Sequence, residues 1–211
     1  MTHYRSRRTL ALSSVAVAAL ALAGCTSSET EPTASSTSIT STTTNESTTP
    51  ASTPLAATED GARTDAPTTQ EGQRGDASAD AALTITDMRV GHHDGFDRVV
   101  YELDGTGTPG WRTEIVGTVT QQGSGNPIAV AGQGILQVLI DGSAMPVTTG
   151  VEPYDGPNPV EVPNPEIVTE VRDAGVFEGT AQTAIGLTTR DVSYRVYTLD
   201  GPTRLVVDIA R

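Results

Sequence analysis

The chain has 211 residues, with 13 Lys+Arg against 26 Asp+Glu and a formal net charge of -13. That acidity excludes non-specific nucleic-acid binding, which needs a basic surface. The single Cys excludes an internal disulfide framework and a cysteine-built metal site. The length allows one domain with extensions.

The N-terminus carries Arg5, Arg7 and Arg8 and then an apolar stretch from Leu10 to Ala23, broken by Ser13 and Ser14. A basic start, a short apolar run and small residues at its end mark a secretory signal, and the run is too short to span a bilayer of roughly 30 Å with ease. Leu22-Ala23-Gly24-Cys25 resembles the bacterial lipobox. That resemblance implies a signal peptide over residues 1–24, cleaved before Cys25. It further implies diacylglycerol and a fatty acyl group such as palmitate on that residue. Two acyl chains anchor stably where one binds only marginally. An ordinary signal peptide with an incidental Cys is the alternative. Ser6-Arg7-Arg8 also leaves twin-arginine export open beside general secretion.

Residues 26–82 read as a disordered tether. Thr and Ser fill 20 of the 33 positions from 26 to 58, and the only aliphatics there larger than Ala are Ile39 and Leu55. Such composition cannot bury enough apolar surface to offset the entropy of ordering. From Glu59 to Ala82 the chain turns acidic and Gly/Ala-rich, still without periodicity. A flexible coil of the 57 residues 26–82 spans about 40 Å. Ser/Thr-rich segments with Pro are also candidates for O-glycosylation.

From residue 83 onward β-branched residues and alternation appear together. Eight strands are predicted: Leu83 to Val90, Arg98 to Leu103, Trp111 to Val116, Ile135 to Ile140, Ile167 to Arg172, Thr180 to Leu187, Val192 to Leu199 and Arg204 to Ala210. Gly, Pro, Asp and Asn separate them, and no stretch holds a helical period for ten residues. Many short strands between turn signals predict an all-β fold, a small two-sheet sandwich, over residues 83–211. An internal echo supports it. Met88 to Leu103 and Tyr194 to Ile209 align without gaps. They share Arg89/Arg195, Val90/Val196, Asp94/Asp200, Gly95/Gly201, Arg98/Arg204 and Val100/Val206. Each unit reads as strand, Asp-Gly turn, strand. In the second strand Val99, Tyr101 and Leu103 point one way and Arg98, Val100 and Glu102 the other. These are expected to be pseudo-symmetric hairpins, one in each of two packed sheets.

No catalytic set emerges. His92 and His93 are adjacent, so they point apart and are poorly placed to chelate one metal. Gly123-Ser124-Gly125 lacks the spacing of a nucleophile elbow. A phosphate loop needs a Lys, and the chain has none. Asp94 and Asp97 read as solvating charge. No cofactor and no metal are expected.

Three residues are candidates for ligand contact. Tyr154 lies in a Pro-rich excursion from Asp141 to Glu166, where it is placed to stack on a sugar ring or a partner, or simply to pack. Trp111 follows Pro109-Gly110 and reads either as a sheet-packing residue or as a platform. Arg98 and Arg204 hold matching positions, suited to ion pairs with Glu102 and Asp208 or to a carboxylate or glycan contact.

The hairpin Gly91 to Tyr101, the following Pro109-Gly110-Trp111, Tyr154-Asp155-Gly156-Pro157, Phe177-Glu178-Gly179 and the ending Tyr194 to Asp208 together resemble the AMIN-like domain of actinobacterial lipoproteins. That resemblance covers residues 83–211. It implies a β-sandwich similar to the AMIN module of N-acetylmuramoyl-L-alanine amidases and pilus secretins, associated with peptidoglycan and the envelope and not itself catalytic.

The expected protein is therefore a non-catalytic lipoprotein on the extracytoplasmic face of the cell membrane. Cys25 holds it in lipid, and its β domain binds peptidoglycan or a wall-associated component. A protein–protein adaptor of the envelope, using a strand edge or the Pro-rich loop, is the alternative, and a small cell-wall hydrolase a second one.

Overall fold

The computed structural model describes residues 61–211. The signal segment, Cys25 and the first part of the expected tether lie outside the described residues. Twelve strands and one short helix follow one another. They are β1 (Arg74–Gly75), β2 (Ala82–His93), β3 (Phe96–Thr106), β4 (Gly110–Val116), β5 (Val119–Thr120), β6 (Pro127–Ile128), β7 (Gly134–Asp141), α1 (Pro146–Thr149), β8 (Val160–Glu161), β9 (Val168–Phe177), β10 (Thr180–Leu187), β11 (Ser193–Leu199) and β12 (Thr203–Ala210). All eight predicted strands are present, and the four added ones have two residues each.

Two antiparallel sheets face each other. One has six strands in the order β1-β4-β7-β10-β9-β8, the other four in the order β11-β12-β3-β2. Between them lies the core. Leu136, Val138, Ile140, Val168, Val171, Ile185 and Leu187 come from the first sheet. Leu83, Met88, Val99, Tyr101, Leu103, Tyr194, Val196, Leu205, Val207 and Ile209 come from the second. The alternation read along β3 decides this packing, because successive side chains leave a strand on opposite faces. Two hydroxyl bridges cross the core. Thr183 of β10 donates to the Tyr101 hydroxyl at 2.9 Å, and Thr113 of β4 bonds the Tyr194 hydroxyl at 3.2 Å. Buried hydroxyls need such partners.

The echo is real but its placement differs from expectation. Both hairpins lie in the same four-stranded sheet, side by side, joined through β12 and β3. Val100 pairs with its own counterpart Val206, Arg98 with Asp208, and Glu102 with Arg204. A pseudo-twofold axis therefore passes between Val100 and Val206, within the sheet. Two antiparallel hairpins can pair through identical strands in this way, which the alternation alone does not reveal. The outer strands also slip. Asp94-Gly95 closes the first hairpin between paired His93 and Phe96, whereas residues 200–203 separate paired Leu199 and Arg204 in the second.

Residues 61–81 are a second correction: the tether expected to reach residue 82 is laid against the domain over this stretch. The Thr69 carbonyl accepts the Tyr194 N–H at 2.7 Å. The Gln73 side-chain amide donates to the Tyr194 carbonyl at 2.6 Å and accepts from the Val196 N–H at 3.0 Å. One side chain thus serves the outer edge of β11 as a paired strand would. The chain then continues as β1 on the edge of β4. Hydrogen bonding to an open strand edge compensates for composition that cannot fill a core.

Candidate functional site

The outer face of the four-stranded sheet carries the most unusual chemistry in the domain, a set of charged side chains out of water. Arg98 and Asp208 stand opposite each other on β3 and β12, Arg98 4% and Asp208 0% exposed. The pair is bidentate: Arg98 Nε donates to Asp208 Oδ1 at 2.6 Å and Nη2 to Oδ2 at 3.0 Å. Arg195 of β11 adds a third bond, Nη2 to Asp208 Oδ2 at 2.9 Å. Buried charges persist only when paired and hydrogen-bonded in this way.

Residues 63–70 lie across this cluster. The Arg63 carbonyl accepts from Arg98 Nη2 at 2.5 Å. The Asp65 carboxylate accepts from Arg195 Nη1 at 2.8 Å, and its own carbonyl from Nη2 at 2.7 Å. Hydrogen bonding from Arg195 holds the Asp65 carboxyl below its ordinary range. The Arg63 and Arg195 guanidinium groups each lie 5.7 Å from the Tyr197 ring centroid.

The pseudo-symmetric half of the face is built differently. Arg204 stands opposite Glu102 in register, yet its guanidinium donates to the carbonyls of Pro202 and Asp200. Glu102 bonds Arg89 at 3.4 Å, which also bonds Asp87 at 2.8 Å. An ion pair of the expected kind joins Arg98 to Asp208. The four-residue turn of the second hairpin brings carbonyls within reach of Arg204. Beside this half, Glu102, Asp104, Gly105, Gly201 and Thr203 line an open cleft of about 580 Å³.

The three expected contact residues are not brought together. Arg98 is locked in the buried pair. Trp111 starts β4 in the other sheet, half-buried against the core, and its ring lies against Gly75 of β1. Tyr154 packs against the core from the Pro-rich loop; its N–H donates to the Ile85 carbonyl at 2.8 Å and its hydroxyl to that of Pro157 at 3.1 Å.

His92 and His93 point apart. His92 Nδ1 bonds Asp97 Oδ1 at 2.7 Å, and His93 stacks on Phe96 with centroids 4.8 Å apart. Asp97, expected to be solvating charge, is 2% exposed. Its other oxygen accepts the N–H groups of Ile167 and Val168, tying β3 to the start of β9. Among the described residues no group of three His, Cys, Asp or Glu is placed to hold a metal, and no helix is long and apolar enough to cross a membrane.

Sequence reasoning missed Asp65, Gln73 and the role of Arg195. Asp65 and Arg195 are 130 positions apart, and the segment carrying Asp65 has no periodicity to announce a docked chain. The signal available was Arg195 itself, the echo of Arg89 on a strand face already known to carry Arg and Asp.

Residues 83–211 match a family model, the AMIN-like domain. None of the curated proteins and none of the solved structures matches the chain.

Proposed function

The chain belongs to the AMIN-like domain family, a family of non-catalytic modules of cell-envelope, peptidoglycan-binding type, and from that premise we propose that it is an envelope lipoprotein whose β domain binds peptidoglycan or a wall-associated component. The observation that carries the proposal is the extent of the match, which takes in both sheets of the sandwich except β1 and the first residue of β2. In this reading Cys25 bears the acyl chains on the extracytoplasmic face of the membrane and residues 26–60 span the distance to the wall. The outer face of the four-stranded sheet is the working site, with Tyr154, Arg98 and Trp111 tested beside it.

Arg98 acts here by positioning. Its bidentate bond fixes Asp208, and Asp208 in turn fixes Arg195, the more exposed cation. Tyr154 is half-buried against the core and lies beside Gly156, and the Trp111 ring lies against Gly75 of β1.

A second reading, an envelope protein adaptor, is favoured by the edge of β2. Residues 142–154 bond its outer side at Leu83 and Ile85, and among the described residues no second strand continues along that side toward His93. Unpaired edges accept extended peptides. Sedimentation with purified sacculi at low and moderate salt separates the two. A wall module co-sediments saturably at both salts; an adaptor stays in the supernatant and crosslinks to a protein. The hydrolase alternative requires muropeptide release that disappears when His92 and His93 are replaced.

A further inference from the structure

We propose that the cleft beneath residues 63–73 is a carboxylate-binding site for an extended peptide, and that the chain's own Asp65 segment occupies it as an internal ligand. Several observations converge. The floor is preformed: Arg98 is buried and held bidentately by Asp208, and Asp208 places Arg195. Asp208 accepts from both guanidinium groups, and the Asp65 carboxylate adds a further acceptor on Arg195.

The segment lies there as a bound peptide would. Its contacts are carbonyls donated to by Arg98, Arg195 and the Tyr194 N–H, one carboxylate on Arg195, and the Gln73 amide on the β11 edge. The three carbonyl contacts use main-chain groups, which any extended peptide possesses. The side-chain contacts are the Asp65 carboxylate, the Gln73 amide and the Arg63 guanidinium against the Tyr197 ring.

The internal ligand is also weakly held at its key contact. The Asp65 side chain is 72% exposed, and solvent-exposed ion pairs hold their partners loosely. The Arg195 Nε is buried without a partner, so the guanidinium fork is not fully used by Asp65. A ligand that presents a carboxylate on an extended backbone competes with this segment on equal chemical terms.

The ligand class is thus a short peptide with a free carboxylate. That it belongs to the wall rests on the reading above, and there the matching chemistry is the peptide part of peptidoglycan, not its glycan. Competition sets the affinity: an occupied site lowers apparent binding by the fraction of molecules in which it is open.

The test uses the full chain in detergent and three probes: a muropeptide with its peptide, the same disaccharide without peptide, and a synthetic peptide of residues 61–75. Asp65→Asn removes the internal carboxylate without touching the floor and is expected to tighten muropeptide binding about fivefold. Arg195→Gln is expected to abolish the gain, with circular dichroism to show that the sheet persists. Gln73→Ala loosens the segment by a different bond and is expected to tighten binding in the same direction. Unchanged affinity in both Asp65→Asn and Gln73→Ala overturns the proposal. Equal binding of the disaccharide without peptide also overturns it while leaving the wall reading intact. Binding of the 61–75 peptide to Asp65→Asn, with no muropeptide or sacculus binding, supports the site and overturns its wall ligand.

Discussion

Replacing Asp208 with Ala is the sharpest test of how the outer face is held. Asp208 is fully buried and accepts three charge-assisted hydrogen bonds, two from Arg98 at 2.6 and 3.0 Å and one from Arg195 at 2.9 Å. Its removal leaves the Arg98 guanidinium buried without the carboxylate that holds it bidentately. Breaking a buried pair by deleting one partner costs about 3–5 kcal/mol, because the surviving charge is desolvated without compensation. For a domain of this size each kcal/mol lowers Tm by roughly 2–4 °C, so the expected drop is about 6–20 °C. Two controls give the argument its force. Glu102→Ala removes the pseudo-symmetric carboxylate, which is one-third exposed and bonded at 3.4 Å, and is expected to cost under about 1 kcal/mol. The double variant Arg98→Met/Asp208→Leu removes both charges and is expected to be milder than Asp208→Ala alone. Urea and thermal unfolding measure all three. A loss below about 1 kcal/mol for Asp208→Ala, or a double variant no better than the single, refutes the claim that burial of charge governs this site.

Further expectations follow from other positions. Gly186→Ala places a methyl group into the Ala131 carbonyl and the Thr169 hydroxyl, so it is expected to cost about 1–3 kcal/mol in denaturant unfolding, more than Gly125→Ala at an open turn, where backbone strain acts alone. Burial holds the Asp173 carboxyl above its ordinary range; its stabilising protonated form is present at low pH and lost as pH rises. Asp173→Asn is therefore expected to be more stable than the parent at pH 7, with the advantage shrinking near pH 4, as thermal melts at the two pH values show. The Asp65 and Asp141 carboxyls are held below their ordinary range by bonds from Arg195 and Arg112. Their pairs are intact above the ordinary carboxylate value and lost as pH falls through the lowered one, which NMR titration of the two Arg side chains follows. Cys25→Ser is expected to release the mature protein from membranes, as fractionation shows.

Much of this molecule was legible without coordinates. Alternation identified every long strand, since a half-buried strand must place its apolar residues on one face. The same alternation in Val99, Tyr101 and Leu103 named three core residues and set Arg98 and Glu102 on the opposite face. The repeated hairpin was also visible, because turn chemistry and facing are local properties written in consecutive residues.

What stayed hidden depends on separation along the chain. β10 reads as an ordinary strand, yet it is buried along its whole length. Its outer face is covered by residues 119–130, which Gln182 pins through the Thr120 carbonyl and the Gln122 N–H. Nothing in Thr180 to Leu187 specifies that cover. Likewise, the two hairpins carry no local mark of whether they share a sheet; the pairing of Val100 with Val206 decides it. The docked segment shows the limit most clearly. Residues 61–73 lack any apolar pattern, and their order comes from hydrogen bonds to a strand edge and to Arg195, more than a hundred positions away. Local periodicity determines which face of each strand is apolar. Which edges are covered, and which charges are driven out of water to meet each other, is settled only when distant segments are brought together.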